Sequence, residues 1–144
     1  MFKKEDWSIP ALFAEAVGLI LELLYIGLQI FYGITYHITV YTLVLNLAVS
    51  VLVYAFLTLL SFYPEQINRL PDDVCVGRVR LLSLRMVRAE KLIFVAGLMI
   101  PCIADVMGGM LHSIYNVGVM VILLVVAVVY EMKIIQLLRK RDKE

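Results

Sequence analysis

The sequence predicts an all-α polytopic membrane protein, with four transmembrane helices arranged as two antiparallel hairpins. Three observations carry that reading. Of the 144 residues, 62% are hydrophobic and 17% charged, with a mean hydropathy of +0.93, whereas a soluble domain is about half apolar and about a quarter charged. Four apolar stretches, 9–33, 38–62, 92–113 and 115–132, each approach the ~20 residues that cross a hydrocarbon core about 30 Å thick. All 13 Lys and Arg residues lie outside those stretches, in three segments that fall on one side of a four-span layout. So high a hydrophobic content excludes a disordered chain. A net charge of +1 gives no reason to expect a nucleic-acid partner. The bilayer is the partner that the composition names.

Span 1 follows Lys3 and Lys4 but is too long for a signal-peptide core, contains two glutamates and ends without a small-residue cleavage site. It reads as a retained helix, with Ser8 as N-cap, Pro10 in the first turn and Trp7 at the interface. Spans 1 and 2, and spans 3 and 4, are separated by only a few uncharged residues, which forces tight turns. Between spans 2 and 3 lies a basic segment, 63–91, punctuated by Pro64, Pro71 and Gly77. Its second half, from Arg78 to Lys91, reads as a helix running into span 3, and span 4 extends as a helix through Lys133–Lys143. Arg78, Arg85 and Arg88 lie near one helical face and are expected to meet anionic lipid headgroups or a cytoplasmic protein partner. The positive-inside rule puts this segment and both termini in the cytoplasm.

Polar residues inside the spans are the candidate site. In span 1, Glu15, Gly18, Glu22, Tyr25, Gln29 and Tyr32 recur at spacings of three and four and therefore share one helix face. Span 2 carries Thr42, Asn46, Ser50, Tyr54 and Thr58 at every fourth position, and span 3 offers Gly97, Pro101, Asp105, Gly109 and His112. Span 4 is almost purely aliphatic. At a rise of about 1.5 Å per residue, Glu22, Asp105 and Asn46 fall at one depth, roughly 20 Å from the inner boundary. No Lys or Arg falls within a span, so Glu15, Glu22 and Asp105 have no cation of their own chain in the core. A carboxylate there is costly unless it is protonated, binds a cation or lines a water-filled path. Pro101, four residues before Asp105, frees a backbone carbonyl beside that acid. Gly108 and Gly109 are read as permitting close helix packing.

Glu15, Glu22, Gln29, Asn46 and Asp105 are thus the expected ion- or substrate-binding residues. Their function is read first as an oligomeric channel or transporter coupled to an ion or proton. The alternative is a non-enzymatic membrane sensor, regulator or pore-forming effector that acts through the cytoplasmic basic segment. An intramembrane enzyme ranks last, because no nucleophile or metal-ligand spacing stands out. The sequence specifies no cofactor and no metal. His37 and His112 lie apart near the outer surface, and Cys75 and Cys102 fall in different environments. A homo-oligomer is expected, since one four-helix bundle encloses little space for a path.

Overall fold

The computed structural model describes residues 7–71, 73–109, 111 and 114–143, and these are helical with short connections and no strand. Helix α1 spans Ile9–Thr35, α2 Val40–Phe62, α3 Pro64–Ile67, α4 Gly77–Val106 and α5 Ile114–Asp142. Local chemistry sets most of these ends. Ser8 caps α1 by accepting a hydrogen bond from the Ala11 amide, with Pro10 in the first turn, and Thr39 caps α2 by accepting one from Thr42. His37 takes a left-handed conformation (φ 53°) in the turn between them. Pro64 opens the short α3 immediately after α2.

Three helices, α1, α2 and α5, are long and apolar enough to cross a membrane. Their outward faces are aliphatic: Leu23, Leu52 and Leu124 are 60%, 68% and 65% exposed. Apolar surface on this scale needs a hydrocarbon environment or a partner. Helix α4 has the length but carries Glu90 and Lys91 at its middle and Asp105 in its last turn.

Helix α4 is nonetheless the packing centre. It touches α1, α2, α3 and α5, whereas α5 packs chiefly on α4. Val79, Leu84, Val87, Lys91, Val95, Met99 and Cys102 of α4 are buried at helical spacing. Tyr25 of α1 completes a core with Val95, Met99 and Cys102. The approach of α5 depends on Gly97, where an added Cβ would stand 2.8 Å from Val119 Cγ1.

The third apolar stretch ends earlier as a helix than the expected 92–113. Gly108 adopts φ +76°, and the Met107, Gly108 and Gly109 amides turn back onto the carbonyls of Ile103, Asp105 and Ala104. A left-handed glycine with returning amides is a helix stop. Gly108 and Gly109 therefore terminate α4, which corrects the close-packing role expected of them. The expected helical extensions of spans 3 and 4 are present, as the first half of α4 and the last turns of α5.

Candidate functional site: a charged seam between α1, α2 and α4

The seven-residue pattern of α1 puts Ala11, Gly18, Glu22, Tyr25, Gln29 and Gly33 inside. This is the face anticipated from the sequence, and Glu15, with its side chain 14% exposed, lies along it. Its lower tier is ionic. The Lys91 ammonium, 1% exposed, donates to Glu15 Oε2, and Arg88 Nε stands 3.4 Å from Glu15 Oε1. Lys91 also donates to Thr58 Oγ1 at 3.2 Å, and that hydroxyl donates to the Tyr54 carbonyl at 2.8 Å. The ammonium lies 4.9 Å from the Tyr54 ring centre, and the Arg88 guanidinium 5.3 Å from that of Trp7. Trp7 in turn packs on Phe62 at 5.5 Å. Two cations thus face one carboxylate, with aromatic faces sharing the excess positive charge.

The expectation that Glu15 has no cation of its own chain is therefore overturned. Lys91 ends the basic segment by an apolar count, but α4 runs through it without a break. Its position on the Leu84–Val87–Lys91–Val95 seam turns the side chain inward. The signal was present in the sequence as one charged residue on an otherwise apolar seam. Arg88 is likewise buried and turned toward Glu15 and Trp7, not outward as a lipid or partner contact. Arg78 and Arg85, the other two residues of that expectation, are exposed.

The upper tier is different. Glu22 is 4% exposed and accepts a hydrogen bond from Ser50 Oγ at 2.5 Å, while its Oε2 has no hydrogen-bond partner. No ion pair reaches it among the described residues. The α2 group that meets Glu22 is Ser50 and not the expected Asn46, which is exposed. A four-residue repeat advances about 40° per step on a helix of 3.6 residues per turn, so the Thr42–Thr58 stripe winds around α2. Ser50, Tyr54 and Thr58 face the seam, and Thr42 and Asn46 face away.

Asp105 does not join Glu22 either. It is exposed in the last turn of α4, beside Val106, whose carbonyl accepts a hydrogen bond from Tyr36 past the end of α1. Tyr36 lies 14 residues beyond Glu22, about 20 Å along the helix. The shared depth expected for the two acids is corrected by the early stop at Gly108. Gln29 is buried beside the Cys102 thiol. Between Glu22 and the Thr35 end of α1, Tyr25, Val95, Met99 and Cys102 form an apolar cluster. His112 lies outside the described residues. No group of three His, Cys, Asp or Glu side chains comes together to hold a metal among those described.

The arrangement provides two kinds of buried acid. Glu15 is held by cations; Glu22 is held by a hydroxyl and has a free oxygen. No family model, curated protein or solved structure matches the chain.

Proposed function

We propose that the protein is a small multi-pass membrane protein that moves protons or a proton-coupled ion, with Glu22 as the group that carries the charge. One observation carries the reading: a carboxyl 4% exposed, bound on one oxygen by Ser50 and unpartnered on the other, within a helix apolar enough to span a membrane. Intramembrane ionisable groups are costly and by default functional. The Lys91–Glu15–Arg88 cluster supplies fixed positive charge on the cytoplasmic side of Glu22, and the Tyr25–Val95–Met99–Cys102 plug closes its other side.

In this proposal α4 crosses as a fourth span beside α1, α2 and α5, giving two antiparallel hairpins and both termini in the cytoplasm. Its support is that α4 packs among the three apolar helices, and that basic residues gather at one end of the layout. Asn46 and Asp105, polar yet exposed on the protomer, favour a homo-oligomer in which a second copy covers them. A second reading, a non-enzymatic regulator or effector acting through its cytoplasmic face, is favoured by the exposure of Arg78 and Arg85.

Proton flux into proteoliposomes under an imposed potential tests the first reading. Wild type conducts, Glu22→Gln is silent and Glu22→Asp retains part of the flux. Equal flux in wild type and Glu22→Gln rejects Glu22 as the carrier. A silent but folded wild type favours the second reading.

A further inference from the structure

Two groups of cations stand apart among the described residues. Arg80, Arg88 and Lys91 are buried and paired with Glu65 or Glu15. Arg78 and Arg85 of α4 and Lys133 and Lys140 of α5 are exposed, line one cleft of about 440 Å³, and have no carboxylate within ion-pair range among the described residues. Leu82 and Leu137 line the cleft between the two basic ends. Seven residues separate the cations on each helix, so the two ends lie about 10 Å apart. Four positive charges in one cleft, with only the Tyr130 ring, its centre 5.6 Å from the Lys133 ammonium, to share any of them among the described residues, repel one another and attract a counter-anion. Lys133 lies four residues past Val129, where α5 turns from aliphatic to charged.

A second cleft, of about 300 Å³, adjoins the first through Arg85, which lines both. Its remaining wall is mostly apolar, with Ala11 and Ala14 of α1, Leu92 of α4 and Tyr130 of α5, and its polar part comes from Ser8 and from Arg88, whose guanidinium is turned to Glu15 and Trp7. A basic cleft that shares Arg85 with a mostly apolar groove fits an amphiphile, not a free anion. We propose that this pair of clefts is a binding site for an anionic phospholipid. The phosphate sits on Arg85 and Lys133, a further headgroup oxygen reaches Arg78 or Lys140, and an acyl chain lies in the groove beside α1. The inference rests on α4 and α5 crossing the bilayer but not on proton movement through Glu22.

The test is lipid binding to the full chain in detergent, followed by native mass spectrometry. The ligands are phosphatidylglycerol, phosphatidylcholine and glycerol phosphate, the last being a headgroup without chains. Phosphatidylglycerol is expected to bind at least about tenfold more tightly than phosphatidylcholine, given roughly fivefold for each interfacial Lys or Arg engaged. The double variant Arg85→Gln/Lys133→Gln is expected to lose about 30-fold on the same basis. Arg139→Gln, which lies outside both clefts, leaves binding unchanged. Circular dichroism establishes that each variant is folded, and Arg78→Gln/Lys140→Gln replaces the first pair should that variant unfold. Equal affinity for the two lipids, or a folded cleft variant that binds as wild type does, overturns the site. Glycerol phosphate binding as tightly as the lipid overturns the assignment to a lipid.

Discussion

Replacing Lys91 and Glu15 separately and together probes the buried cluster through its charge balance. Two cations, Lys91 and Arg88, face the single carboxylate of Glu15. Lys91→Met leaves one cation against one carboxylate, still 3.4 Å apart. Glu15→Gln leaves two buried cations with no counter-charge between them. Removing one member of a buried pair costs about 3–5 kcal/mol, chiefly through the partner left behind. Lys91→Met is therefore assigned the lower end, about 3 kcal/mol, because Arg88 remains, and Glu15→Gln the upper end, about 5 kcal/mol. The double variant is expected to cost less than the sum, since residues in one ionic network couple strongly. Unfolding in mixed micelles, followed by far-UV ellipticity, gives the three free energies. A Lys91→Met variant less stable than Glu15→Gln, or strictly additive effects, refutes the charge-balance reasoning.

Other expectations follow from the packing and the connecting segment. Gly97→Ala drives a Cβ to within 2.8 Å of the stiff Val119 side chain and should cost about 1–3 kcal/mol, whereas Gly27→Ala, with nothing within 4 Å, should gain about 0.5–1 kcal/mol. Thermal unfolding of the two variants side by side reads that difference in sign. Glu65, 3.7 Å from Arg80, is pulled upward by burial, but hydrogen bonding to its charged form, with a smaller part from the Arg80 guanidinium, holds it below its ordinary value of 4.5. A depressed folded value means that its contribution is present above pH 4.5 and disappears as pH falls through the folded value. Protection of α3 from amide exchange should fall accordingly in wild type and show no such step in Glu65→Gln.

The sequence made the α1 seam legible because its spacing alternates between three and four and so holds one face over nearly five turns. Glu22 and Gln29 were found inside for that reason. The α2 stripe looked equally regular, but a constant step of four drifts around the helix, so Asn46 was carried to the outer surface while Ser50 stayed on the seam. Asp105 was misplaced by a different cause. Hydropathy continues past Val106, and only the left-handed backbone at Gly108 stops the helix, a choice that composition does not encode. Lys91 was missed because a span drawn from apolar residues excludes charges at its edge, although a long lysine stem can follow the seam inward to a carboxylate. The acids were legible as types; their partners were set by tertiary packing.

Whether α4 crosses the bilayer as a fourth span, as proposed, decides whether the charged seam lies in the membrane among crossing helices. Three spans put the two ends of the described chain on opposite sides; four put them on the same side. Single cysteines at Ile9 and Lys140, both exposed, in a chain lacking Cys75 and Cys102, can be challenged with a membrane-impermeant maleimide on intact cells. A third cysteine at Val40, 75% exposed at the start of α2, reports the opposite face. With α4 across the bilayer, Ile9→Cys and Lys140→Cys are both protected until the membrane is opened, while Val40→Cys reacts at once. Labelling of Lys140→Cys from outside with Ile9→Cys protected contradicts that crossing.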